Sequence, residues 1–449
     1  MSDAPHVPAG EPGVNNGCPM KRRTFLSGVA AGAIGGGALA WGASKLLLPN
    51  SSSGKLIGRP AQAKVAQPSG KLGIPGPYPG RVIEVNHKDA CKGYVRNQPV
   101  IKEIIDRGMR ELVDVPESAD AWKSLFSPGD RVGIKVVPVG LPNSISSKEV
   151  VREVVAALNK LAKVDLKDII LFDRYYNEFV LCGYGDLADE LGIHWECSSL
   201  EYDELQNRID GQHPDRPRSK KVAGYDPDVF RELPFCGPQH DRYDDRSYRS
   251  HLGMIISRKI DKYIGIPVIK DHRSAGITLA LKNLSHGSVN NVCRSHTSFW
   301  NAAVEAYEPG MTLNQCGTFI PAMVSLPTIR EKAVLHIGDG LVATFEGGPG
   351  VWNNPYRTWN YNSLLFATDP VAMDHIGWEI VDKKRAEEGY PLVAEMGLES
   401  NYGLAPRQTH PRRSESFHMR QPEHIPLAAT LGLGVFTRHL IRHKRIDLA

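Results

Sequence analysis

Residues 131–173 constrain the fold more than any other part of the chain. The short β-branched run RVGIKVV, residues 131–137, follows the turn formers Pro128, Gly129 and Asp130. Val151, Val154, Val155, Leu158 and Leu161 then recur at helical spacing, and Ser146 and Glu149 stand three apart, as in a capping box. A second apolar run, DIILFD, ends at Asp173. Strand, helix and strand at this length make a βαβ unit, whose strands are parallel and whose crossover is right-handed. The fold class expected is α/β: a mainly parallel sheet flanked by helices, with Rossmann-like βαβ units.

The pattern continues on either side. RVIEVNH (81–87) and IHWECSS (193–199) read as strands, and KYIGIPVIKDH (262–272) reads as one strand running into Asp271 and His272. AVLHIGDG reads as a strand ending at Asp339 and Gly340, and SLLFATDP as a strand ending at Asp369 and Pro370, with Asp369 suited to cap the helix that follows. Gly183, Gly185 and Ala188 form G-x-G-x-x-A, but about ten residues past the strand, so they mark the start of a helix rather than a dinucleotide loop. Residues 201–250 are polar and read as a long insertion, and residues 44–80, rich in Ser, Gly and Pro, as a linker or surface arm. The α/β domain then spans 81–436. The basic tail, 437–449, reads as a solvated terminal helix.

Ahead of the domain, Arg22 and Arg23 precede Phe25, Leu26 and a short glycine-softened apolar segment, with a small-x-small site at Ala38–Ala40. Residues 1–43 resemble a twin-arginine export signal, too short and glycine-rich for a stable membrane span. This predicts a periplasmic protein that meets the twin-arginine translocon, or one anchored by an uncleaved leader. The formal net charge of +4, from 54 basic and 50 acidic residues, is too mild to imply nucleic acid. Seven cysteines are scattered without a C-x-x-C pair, so neither an iron–sulfur cluster nor a zinc ribbon is expected, and disulfide pairing stays open.

In open α/β sheets ligands sit off the carboxyl ends of the strands, which gives Asp173, Asp271, His272, Asp339 and Asp369 a common expected address. Ile277, Ala280, Leu281 and Leu284 form an apolar helical stripe, and Lys282, Asn283 and His286 share the other face. Lys282 beside that stripe is a candidate acid or base. His272, His286 and His296 either hold a divalent metal together or are separately hydrogen-bonded. After Asp339 the chain enters a glycine-rich loop in which Gly347 and Gly348 offer amides to an anion and Glu346 is a ligand or base. The candidate catalytic residues are Lys282, His286, Asp339 and Glu346. Asn283, Gly347, Gly348, Asp173 and Asp374 are the candidate substrate contacts.

GDRVGIKVVP, DIILFD, LALKNLSHG, LHIGDGLVATFEGGPG, ATDPVAMDHIGWEI and PEHIPLAATLGLG, spread over 128–436, resemble the prokaryotic family known as domain of unknown function 362. The resemblance implies an α/β domain of catalytic character. Relatives often add a ferredoxin-like cysteine module, which this sequence lacks. Where relatives commonly have Lys-x-Asn, this chain has Lys135, Val136, Val137 and Pro138, so the resemblance assigns Lys135 no role. Three functions stay open: an exported enzyme using Lys, His and Asp acid–base chemistry, with or without a metal, on a small anionic or carbonyl-bearing substrate; a binding or accessory partner of an exported redox complex; or a metal or cofactor carrier.

Overall fold

The strand-forming runs assemble into one mixed sheet, as seen in a computed structural model that describes residues 71–202, 208–233, 248–272, 274–292, 295, 300–301, 306–307, 316–353, 355–393 and 422–449. The strands used below are β1 (Arg81–His87), β2 (Val132–Lys135), β3 (Ile169–Tyr175), β4 (His194–Ser199), β5 (Tyr225–Glu232), β6 (Arg249–Gly253), β7 (Lys262–Gly265), β8 (Val268–His272), β9 (Gly276–Thr278), β10 (Ala333–Glu346), β11 (Arg357–Trp359), β12 (Ser363–Ala367) and β13 (Arg442–Leu448). The eleven-stranded sheet runs β13-β1-β12-β10-β7-β2-β3-β4, with β8 and β11 also paired to β10 and β9 paired to β8. Neighbours β10, β7, β2, β3 and β4 are parallel, as the βαβ pattern predicts.

Helices cover both faces: α1 (Gln98–Val113), α2 (Ser118–Leu125), α3 (Lys148–Lys160), α4 (Tyr176–Leu181), α5 (Tyr184–Leu191), α6 (Ala280–Ser285), α7 (Cys316–Val324), α8 (Pro327–Lys332), α9 (Pro370–Glu387) and α10 (His424–Thr430). The stripe Val151, Val154, Val155 and Leu158 of α3 is buried in the main core with Ile134, Ile169 and Leu171 from the sheet. Every residue of β10 is buried, the mark of a strand covered on both faces.

Four expectations change. The run 262–272 is two strands, since register breaks at Ile266 and Pro267, where no ladder amide is available from proline. β10 runs on to Glu346, so Asp339 is interior to a strand rather than at its end. β12 lies antiparallel to both β10 and β1, so Asp369 leaves the sheet on the rim opposite to the other aspartates. The basic tail is a 3-10 turn, Arg438–Leu440, followed by the edge strand β13, parallel to β1, and not a terminal α-helix. Its alternating side chains bring His443 and Arg445 to the buried carboxylate of Glu84, at 2.9 and 2.7 Å, and burial of that acid without them would be costly. In and just beyond 201–250, β5 and β6 pair antiparallel, and residues 203–207 and 234–247 lie outside the described residues.

Asp369 caps α9 as expected, accepting from the amides of Val371 and Ala372, and also accepts from Gly80 at 2.8 Å and Val435 at 2.9 Å. One buried carboxylate therefore ties the segment before β1, the start of α9 and the segment before β13. Asp369→Ala strands those buried donors and should cost about 3 kcal/mol. The check is a lower urea midpoint with an unchanged m-value, and a shift below about 1 kcal/mol would show that water replaces the carboxylate.

Candidate functional site

Parallel pairing sets Lys135 opposite Phe172, so the end of β2 lies beside Asp173, the next residue of β3. Lys135 is buried, and its ammonium lies 2.5 Å from Asp173, donates to the Val136 carbonyl at 2.8 Å, and donates to Asn283 Oδ1 at 2.9 Å. Asn283 in turn donates to the Tyr263 hydroxyl at 3.3 Å. One ammonium thus joins two strands to α6. Burial lowers the proton affinity of Lys135, and Asp173 opposes that effect.

These residues form one wall of a cavity of about 620 Å³ off the carboxyl ends of β2, β3 and β8. Asp173, Asn283, Lys282, His286 and His272 all line it, so five of the expected site residues converge there. α6 is short and buried along its whole length, and Asp374 fixes its start by accepting from the amides of Ala280 at 2.7 Å and Leu281 at 3.1 Å. Asp374 therefore positions the helix and does not line the cavity.

Lys282 differs from its neighbours. Among the described residues no hydrogen bond or ion pair engages its ammonium, and burial lowers its pKa to about 8. His286 is engaged at both ring nitrogens, with Ser295 Oγ at 2.8 Å and Ser285 Oγ at 3.2 Å. His272 Nδ1 accepts from the amides of Ser274 and Ala275. His296 lies outside the described residues, and among those residues no three His, Cys, Asp or Glu side chains gather as a metal site.

The remaining expected residues are spent internally. Both Asp339 oxygens are used, one by the Ser147 amide at 2.7 Å and the other by the Leu341 amide at 3.0 Å. Glu346 is buried against Arg385 at 2.7 Å. The amides of Gly347 and Gly348 donate to Asp271, at 3.1 and 2.8 Å, so they bind a carboxylate of the chain and not an outside anion. The close approach demands glycine: a Cβ on Gly348 would lie 1.9 Å from the Asp271 carbonyl oxygen. Asp339, Glu346, Gly347 and Gly348 are thereby removed from the cavity lining, although the next residue, Pro349, is part of it.

In their place stand four residues that sequence reading passed over. Lys135 stands in an altered motif that gives no sequence signal for it. Arg174 donates to the carbonyl oxygens of His286 at 2.6 Å and Val289 at 3.3 Å. Lys270 donates to carbonyls of Val139 and Ser144, and burial lowers its pKa to about 7. Glu178 has an unpartnered, buried Oε2 among the described residues, and burial, then Asp173, raise its pKa to about 6. A lysine inside the apolar run VIKDH was the available signal for Lys270. Four cations, Lys135, Arg174, Lys270 and Lys282, thus face two carboxylates, Asp173 and Glu178.

Residues 231–379 match the family model described as Domain of unknown function (DUF362). That span, less than half of the chain, holds Lys270, His272, Lys282, Asn283 and His286, while Lys135, Asp173, Arg174 and Glu178 precede it. A crystal structure of a Thermotoga maritima protein, a structural-genomics target, is similar with 11% identity and a TM-score of 0.33, over 66% of this chain and 60% of that chain. No curated protein matches.

The Lys135–Asp173 pair generates a direct test. Lys135→Met leaves a buried carboxylate unpaired and should cost about 3–5 kcal/mol, whereas adding Asp173→Asn should recover at least about 1 kcal/mol. Urea unfolding of the two single variants and the double variant measures this coupling, and additivity of the two single effects would show that the pair is not coupled.

Proposed function

We propose that this protein is an enzyme acting on a small anionic or carbonyl-bearing substrate, with Lys282 as the group that moves the proton. The observation that carries the reading is the charge of the cavity: four cations against two carboxylates, with one ammonium unengaged among the described residues. Burying cations without counter-charges is expensive, and a site that does so is built for an anion supplied from outside. Lys135 and Arg174 are held by the protein and form a fixed positive floor. Lys282, at about 8, and Glu178, at about 6, bracket neutral pH from either side, as an acid–base couple requires. His286, engaged at both ring nitrogens, and His272, engaged at Nδ1, orient the walls. The proton-moving role read from sequence for His286, Asp339 and Glu346 passes to Lys282 and Glu178.

The test is turnover of short 2-oxoacids, and binding of these and of inorganic phosphate. Lys282→Ala should weaken anion binding by roughly 10- to 100-fold, the worth of one charge-assisted hydrogen bond, and abolish turnover. The pH dependence has a definite sign. Burial depresses the folded-state pKa of Lys282 to about 8 and of Lys270 to about 7, so both cations are lost as pH rises through 7 to 9. Anion affinity measured by calorimetry should fall over that window in the wild type, and less so in Lys282→Ala. Affinity that rises or stays level, or an alanine variant with full affinity, would refute the assignment.

The same proposal places the enzyme in the periplasm, delivered by the twin-arginine route, on the strength of Arg22, Arg23 and the apolar segment behind them. Those residues lie outside the described ones, and no helix among the described residues is long and apolar enough to cross a membrane. Replacing both arginines by lysine should retain the full-length precursor in the cytoplasm, scored by cell fractionation. Unchanged export would end this reading.

A further inference from the structure

The cavity exceeds what a short 2-oxoacid needs. Its volume of about 620 Å³ is roughly twenty times the share of one liquid water, and it falls among sites that enclose ligands of several tens of atoms. Its lining is also polarised. Lys135, Lys270 and Lys282 are 2%, 0% and 7% exposed, whereas Tyr202 and Trp352, which line the same cavity, are 54% and 65% exposed.

The two aromatic residues are held rather than merely left outside. The Trp352 ring lies over Gly350, where a Cβ would come within 2.3 Å of it. The loop that carries it is fixed from both sides, by Asp271 on the amides of Gly347 and Gly348 and by the Asn353 side chain on their carbonyls at 2.9 Å. Tyr202 packs edge-on against buried Tyr175, with ring centroids 5.9 Å apart and planes at 76°. Tyr175 in turn lies beneath the Arg174 guanidinium at 4.2 Å. The aromatic outer lining and the cationic inner lining are therefore mechanically connected.

We infer that the ligand of this cavity is an anion carried on a planar aromatic group, its charged end bonded by Lys282 in the positive field of Lys135 and Lys270 and its ring against Trp352 and Tyr202. The inference rests on the anion-binding reading above and narrows its substrate class. An aromatic ring gains from these two side chains both by burial and by offset or edge-on contact, which a bare anion cannot use.

Calorimetry on the full chain with two matched pairs of probes tests it: pyruvate against phenylpyruvate, and inorganic phosphate against phenyl phosphate. The aryl member of each pair should bind about 10-fold more tightly or better. That ratio should collapse towards one in Trp352→Ala, persist in Trp352→Phe, and shrink in Gly350→Ala, whose added methyl displaces the indole. Equal binding within each pair, or an aryl preference that survives Trp352→Ala, would overturn the inference while leaving the anion reading intact. If none of the four probes binds, or if all bind Lys282→Ala as well as the wild type, the anion reading falls and this inference falls with it.

Discussion

The buried ion pair between Lys135 and Asp173 is the constraint around which the site is organised. It joins the ends of two neighbouring parallel strands, and through Asn283 it extends to the helix that carries Lys282. Removing either charge leaves the other stranded in a medium where an unpaired ion is costly. The contact also limits what can stand nearby: a Cβ at Gly287 would come within 2.8 Å of the Lys135 ammonium and 2.4 Å of the Asn283 carbonyl oxygen. Backbone, helix and ammonium therefore meet with no spare space, and the cavity begins where that packing stops.

Two kinds of buried charge coexist, and they do different work. Asp369, Asp374, Asp339, Asp271 and Glu346 each accept bonds from the chain's own amides or from Arg385, so they serve as internal fasteners. Lys282 and one oxygen of Glu178 lack such bonds among the described residues. Satisfied groups hold shape, whereas unsatisfied ones at a cavity wall retain interaction capacity for something that enters. This distinction, rather than residue type, separates the candidate chemistry from its scaffold.

Periodicity made much of the fold legible. The valine stripe of α3 and the β-branched runs on either side dictated parallel pairing, because only a crossover helix of that length returns the chain in the same direction. The region around Lys282 was legible too, as polar residues at helical spacing, although the helix proves buried along its whole length and Ile277 belongs to β9. The glycine-rich loop was legible as a place of close backbone approach, but not in its partner: an aspartate 76 residues earlier in the chain fills its amides. Strand ends misled where direction was unknown. Asp369 and Asp173 look alike as acids after apolar runs, yet β12 runs against its neighbours and carries Asp369 to the other rim.

By itself the sequence determined the α/β class, the βαβ unit, the capping role of Asp369 and the neighbourhood of Lys282, since each follows from contacts within about forty residues. The tertiary structure alone decided which charges are neutralised and which face open space. Lys135 acquires meaning from a strand neighbour and from a side chain 148 residues away, and Lys270 from carbonyls 126 to 131 residues away. The electrostatic character of a side chain depends on burial and on partners brought near by folding, neither of which leaves a local pattern in the chain.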